Sequence, residues 1–305
     1  MDSVFLIDII ASSLRLATPL IFCALAGVLA ERAGVIDIGL EGKMLFAAFA
    51  AAAVGVTTRS TLLAVMAALA VAVALSCLHG FACVTHQGNQ VISGLAINII
   101  AAGLTVVMGI AWFKQGGQTP PVIDAVRLTA ITTIALLAHN ILVFVALASV
   151  GLVWWLLFRT RFGLRLRAVG ENPAMVDAAG VSVASTRYLA LVGNGVLCGL
   201  AGCYLVLAQN AAFAPHMTAG RGFMALAAMI FGKWHPVGAL WACLLFGFLD
   251  AISIRLQGTK LPGVGEIPVQ AIQALPYVLT VVLLAGFIGK ATAPKALGTP
   301  YIKTR

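Results

Sequence analysis

"RLRAVGENPAMVDAAGVSVASTRY", residues 165–188, interrupts a chain that is otherwise almost continuously apolar. Arginines, an Asn-Pro step and a short alanine-rich run gather here, whereas the stretches around it carry no charge. None occurs between Arg59 and Lys114, none between Arg127 and Arg159, and none between Arg187 and Arg221. A bilayer core takes about 20 apolar residues per helix, so the first block holds two spans and each of the others holds one. With 61% hydrophobic residues, 10% charged residues and a mean hydropathy of +1.04, the composition excludes an ordinary soluble domain.

The fold class that follows is all-α, a polytopic integral membrane protein solvated by lipid. The runs lack the period-2 alternation of a barrel, and a backbone in lipid must satisfy its own hydrogen bonds. About eight full transmembrane helices are expected, near residues 10–30, 41–57, 61–84, 91–113, 131–158, 188–208, 237–256 and 269–289. One more apolar piece, GFMALAAMIFG at 222–232, is about half the length of a crossing and reads as a half-helix or re-entrant segment. No linker divides the chain, so residues 1–305 form a single transmembrane domain with a polar loop at 159–187.

The formal charge of +9 is scattered between spans, which argues for topology signals and against a nucleic-acid surface. Its densest patch, Arg159, Arg161, Arg165, Arg167 and Arg187, places this loop in the cytoplasm by the positive-inside rule. Counting back, 85–90 lies inside and 114–127 outside; counting forward, the basic tail lies inside if 222–232 counts as a crossing. The segment Glu31 to Gly42 reads equally as a cytoplasmic loop or as a broken helix within the membrane. Six cysteines lie in apolar stretches without C-x-x-C spacing and read as small packing residues. The acidic start MDSVFLIDII lacks the positive region of a signal peptide, so cleavage is not expected. Gly195 and Gly199, spaced as G-x-x-x-G, suit close helix packing, within one subunit or at a dimer seam.

Within the opening stretch, Asn172 is a good N-cap, Pro173 fits the first helical position and Gly180 fits just past the end. The segment predicts a two-turn helix, too short to be stable alone and in need of a partner. RTRFGLRLRAVGENPAMVDAAGVSVASTRY resembles the cytoplasmic loop of bacterial ABC importer permeases of the branched-chain amino acid, ribose and nucleoside class. The likeness extends through ERAGVIDIGLEGKM (31–44), NQVISGLAINIIAAGLT (89–105), MTAGRGFMALAAMIFGKWHPVGAL (217–240) and LPYVLT (275–280). It is nearest to the shorter permease subunit of purine-nucleoside and simple-sugar importers.

That resemblance implies a multi-pass protein of the bacterial inner membrane that forms a path for nucleosides or simple sugars. It implies a separate ABC ATPase carrying ATP and magnesium, a second and longer permease as heterodimer partner, and an extracytoplasmic substrate-binding lipoprotein. It also assigns coupling to the ATPase to Glu171, Asn172, Pro173, Asp177, Ala178, Ala179 and Gly180. Two departures stand out: the family's Glu-Ala-Ala followed by a spaced Gly reads here Asp177, Ala178, Ala179 and an immediate Gly180, and Asp37 stands where an Asn is expected. The chain holds no G-x-x-x-x-G-K-[ST] loop, which fits a transport subunit, not an enzyme, with no cofactor or metal of its own.

Ionisable and amide groups in the membrane are costly and mark either a path or a paired structural cluster. Asp37 and Glu41, with Glu31, Arg32 and Lys43 alongside, read equally as path residues or as a salt-bridged elbow. Asn89, Gln90 and Asn98 are candidates to bond a sugar hydroxyl or base edge, or a neighbouring helix. Arg221 opens the short segment and is the remaining path candidate. Lys233, Trp234 and His235 read as interface anchors, His79 and His139 as histidines without chemistry, and Asp250 as paired with Arg255 by spacing. An ion-coupled secondary transporter using Asp37, Glu41 or Asp250 is the alternative function. An intramembrane enzyme is the least supported, since no catalytic spacing occurs.

Overall fold

The computed structural model describes residues 3–128, 139–256, 260–261, 265–266, 274, 278 and 292–303. Its helices are α1 (Ser3–Arg32), α2 (Leu40–Thr58), α3 (Thr61–Gly80), α4 (Gln90–Phe113), α5 (Ile141–Arg159), α6 (Arg161–Glu171), α7 (Pro173–Ala178), α8 (Val183–Cys203), α9 (Arg221–Phe231) and α10 (Pro236–Leu256). Single π-helical stretches, Phe81–Thr85 and Tyr204–Asn210, prolong α3 and α8. Strands β1 (Lys260–Leu261) and β2 (Gly265–Glu266) form one small antiparallel ladder. Seven helices among the described residues are long and apolar enough to cross a membrane: α1 to α5, α8 and α10. The expected span 269–289 lies outside the described residues save for Ala274 and Val278, and so does the first part of the expected run 131–158.

Polar side chains at the ends of the apolar runs start the helices. Ser60, Asn89, Asn140, Thr160, Asn172 and Ser182 each accept a backbone N–H from the first turn that follows. Helix α1 passes through the centre, packed on α5, α8, α9 and α10. It contains Pro19, which cannot donate to the carbonyl four residues back, that of Arg15. Tyr204 Oη donates to that carbonyl at 2.9 Å, so a proline inside a span leaves no orphaned acceptor.

The G-x-x-x-G pair lies inside the subunit. A Cβ at Gly195 would meet Val73 Cα at 2.7 Å, and one at Gly199 would meet Leu69 Cα at 2.9 Å, so α8 approaches the backbone of α3 directly. Gly202 continues the seam against Met44, Ala47 and Ala48 of α2.

Two ends of the bundle are distinguished by what meets there. At one end lie α6, α7, the C-terminus of α1, the turn 85–90 and residues 296–303, joined by bonds such as Ala296 N–H to Gly170 O at 2.8 Å. At the other, Asp8 near the start of α1 pairs with Arg255 at 3.5 Å, and the segment 114–128 bonds to 207–213. Lys295 and Lys303 of the basic tail therefore share an end with the arginine-rich loop.

Three local readings change. Arg255 pairs with Asp8, one helix away, instead of Asp250 on its own helix. Trp234 is buried, its indole N–H donating to Glu31 at 2.6 Å, so it anchors α1 and not the lipid interface. Arg187, grouped by sequence with the loop's cations, is 1% exposed in the second turn of α8.

Candidate functional site

Two regions carry the polar chemistry. The first is the elbow between α1 and α2, residues 33–39, which is largely buried despite being non-helical. Non-helical backbone at membrane depth survives only where protein supplies its partners, and here they come from α3, from α4 and, through Arg187 to Ala33 O, from α8. Ile36 N–H donates to Gln90 Oε1 at 2.7 Å, and Ile36 O bonds His79 Nε2 at 2.9 Å. Ile38 O accepts from Asn98 Nδ2 at 3.0 Å, and Gly42 N–H donates to Asn98 Oδ1 at 2.8 Å. Gly94 and Gly42 admit this contact: a Cβ at Gly94 would meet Gly39 N at 2.9 Å, and one at Gly42 would meet Asn98 Cα at 2.8 Å.

Beneath the elbow is an ion pair shut off from solvent. Lys43 Nζ lies 2.5 Å from Asp37 Oδ2, both side chains fully buried, and donates also to Asn194 Oδ1 at 3.1 Å. Asn194 Oδ1 accepts from Ser76 Oγ at 3.0 Å, while Asn194 Nδ2 donates to Ala26 O at 3.0 Å.

The short helix α9 points its N-terminus at the same elbow. Eleven residues make it about 16 Å long, roughly half of a membrane core. Its C-terminal side is held where Arg32 Nε donates to Trp234 O at 2.9 Å. At its N-terminal side, Gly220 N–H donates to Glu41 Oε1 at 2.8 Å and Gly222 N–H to Glu41 Oε2 at 2.6 Å. Gly220 has φ +80°, which turns its amide inward beside that of Gly222. The carboxylate thus occupies amides that a half-helix would otherwise offer to a ligand, and complements the helix dipole.

The structure accordingly gathers Asp37, Glu41, Gln90 and Asn98 around one elbow; Arg221 adjoins them by its place between Gly220 and Gly222, whose amides bind Glu41. Asn89 is turned away, capping its own helix α4 through Val91 and Ile92 N–H. Sequence reasoning missed Ser76, His79 and Asn194 as members of this network. The signal they left was single polar residues inside long apolar helices.

The second region is the loop between α5 and α8. Asn172 Oδ1 accepts Met175 N–H at 3.2 Å, Pro173 opens α7, and Gly180 follows with φ +78°. Helix α7 rests on α6 and α8 through Val169, Val176 and Val183. Its outer side leaves Met175 69% exposed, with Leu164 of α6 62% exposed. Between them runs an apolar groove of about 450 Å³ lined by Leu164, Ala168, Met175, Val176, Ala179 and Val181, with Glu171 and Asn172 at its edge. An open apolar groove beside arginines marks a docking surface. Lys303 lies 3.6 Å from Asp177, with Gly180 and Tyr301 beside them.

Comparison with known proteins places these features. The chain is 36% identical to the nucleoside ABC transporter permease protein NupC of Lactococcus lactis subsp. cremoris, over 97% of each chain. It is 38% identical to the guanosine ABC transporter permease protein NupQ of Bacillus subtilis, over 99% of each. A solved structure of a metal-chelate type ABC transporter in an inward-facing conformation has the same fold, with a TM-score of 0.50 at 16% identity, covering 91% of this chain and 84% of that one. The family model described as "Branched-chain amino acid transport system / permease component" matches residues 9–287, a span that includes the elbow, α9 and the α6–α7 loop. This chain belongs to that family of ABC transporter permeases.

Proposed function

We propose that this permease imports nucleosides across the bacterial inner membrane, driven by an ATPase docked on α6 and α7. As a permease it is a transport subunit, and ATP hydrolysis belongs to a partner. The observation that carries the coupling part is the capped two-turn helix α7, which bears an apolar groove open to solvent. Residues Glu171, Asn172, Pro173, Asp177, Ala178, Ala179 and Gly180 form or flank the contact, and ATP with magnesium is held on the ATPase. A second permease completes the path, and an extracytoplasmic lipoprotein delivers the cargo.

The cargo reading rests on near full-length likeness to permeases named for nucleosides and guanosine. Asp37, Glu41 and Asn98 spend their polar atoms on the protein itself, which leaves Gln90, whose buried Nε2 has no hydrogen-bond partner among the described residues, and Arg221 as the groups for a ribose or base edge. Transport follows from differential contact: an ATPase that closes on ATP favours one arrangement of α6 and α7, and the bundle follows.

The test is uptake of labelled guanosine by cells expressing the chain with its partner proteins. An ATPase-dead partner, or Asn172→Pro within the chain, should abolish uptake while the protein stays inserted. Uptake that survives both changes and collapses with an uncoupler would sink the proposal in favour of ion coupling.

A further inference from the structure

The C-terminal residues run back across the end of the bundle that bears α6 and α7, and are fastened there. Ala296 N–H donates to Gly170 O at 2.8 Å, and Gly298 N–H donates to Gly34 O at 3.2 Å. The buried guanidinium of Arg187 lies between, donating from Nε to Ala33 O at 3.3 Å and from Nη2 to Thr299 O at 3.3 Å. One residue of α8 thereby ties the elbow to the tail.

The junction has no slack. Gly34 has φ +83°, and a Cβ there would meet both Ala296 O and Arg187 Nη2 at 3.2 Å. Gly298 has φ +77°, and its Cβ would meet Ile36 Cδ1 at 2.7 Å. A Cβ on Gly170 would collide with the carbonyl of Arg32. Further along, Tyr301 packs on the small core of Val169, Val176 and Val183, and Lys303 reaches Asp177 of α7. The tail therefore touches α6, α7, the base of α8 and the elbow within eight residues.

Burying an arginine whose partners among the described residues are carbonyls costs desolvation that an apolar residue would avoid. What the arginine adds is reach, because its fork holds two backbone segments that are remote in sequence. We infer that residues 296–303 and Arg187 form a strap that makes the coupling helices and the elbow move as one body. A displacement of α6 and α7 then reaches Asp37, Glu41 and the N-terminus of α9 directly, and not only by tilting α5 and α8. Arg187 and Gly298 are positioning residues in this scheme. The bidentate hold of Glu41, at the start of α2 just past the elbow, on α9 completes the route to the candidate path.

The inference rests on the ATPase docking at α6 and α7, and its test separates the two. The assembled transporter, with ATPase, second permease and binding protein, is reconstituted in lipid nanodiscs as wild type, as Arg187→Lys and as Gly298→Val. Arg187→Lys keeps the charge but loses the fork; Gly298→Val strains the left-handed backbone of the tail and presses it against Ile36. Hydrogen exchange is followed in peptides covering 33–42 and 171–180, with ADP and with ATP plus vanadate. In wild type both peptides should change their protection with nucleotide; in each variant 171–180 should still respond and 33–42 should not. In proteoliposomes the guanosine carried per ATP should fall at least about fivefold, the low end of ordinary coupling between sites, with the KM for ATP unchanged. If 33–42 responds in the variants as in wild type, or if hydrolysis and transport fall in equal proportion, the strap is overturned. If 171–180 ignores nucleotide in wild type, the docking reading itself fails and takes the strap with it.

Discussion

Lys43 and Asp37 see no water, and neither charge is tolerable there without the other. Lys43→Met alone should destabilise the protein by about 3–5 kcal/mol, because it strands a buried carboxylate. Lys43→Met with Asp37→Leu should recover most of that loss. Thermal unfolding of the detergent-solubilised protein reads both, and a double variant as weak as the single one would show that the pair is not the cause. The sequence pointed to these acids as a cluster without separating a path from an elbow. The deciding partner, Asn194, lies 151 positions from Lys43, beyond any local spacing rule. Glu41 was legible only as an acid near a boundary; its role depends on where the first turn of α9 is brought, 179 residues later. Trp234 misled for the same physical reason: an aromatic beside Lys233 has the composition of an interface anchor, and only tertiary packing supplies Glu31.

Among the elements, composition made the spans readable because lipid forbids most alternatives, and the short length of α9 was visible as an apolar run too brief to cross. Helix contacts were less readable. The G-x-x-x-G pair announced a close approach, yet the partner, α3, follows only from the packing. Gly195→Leu should be poorly inserted or unstable, since its side chain would press on Val73 Cα, where backbone cannot yield. Gly103, with no atom within 4 Å of an added Cβ, is the control: Gly103→Ala should express and melt like wild type. Size-exclusion profiles after mild heating distinguish the two. Tyr204→Phe removes the donor that covers the carbonyl freed by Pro19 and should cost about 1 kcal/mol. Adding Pro19→Ala restores the helical donor and should cancel that cost; persistence of the loss in the double variant would assign Tyr204 another role.

For the whole molecule, the decisive question is where force enters. Helix α7 has six residues and gains its stability from a cap and a three-valine footing. Such an element responds to a partner without unfolding the bundle behind it. Asn172→Ala loosens the cap by about 1 kcal/mol and should weaken ATPase binding roughly fivefold, because part of the binding energy goes to ordering the helix. Met175→Asp acts on the surface instead. It leaves the cap intact and places a charge at the exposed apolar lip of the groove, which should cost at least about 2 kcal/mol, roughly 30-fold in Kd. Titration of the purified ATPase onto the permease in nanodiscs measures both. Because one variant changes the helix and the other only its face, their ranking is informative: a Met175→Asp protein that binds as tightly as wild type would move the contact off this groove, whatever the cap variant does.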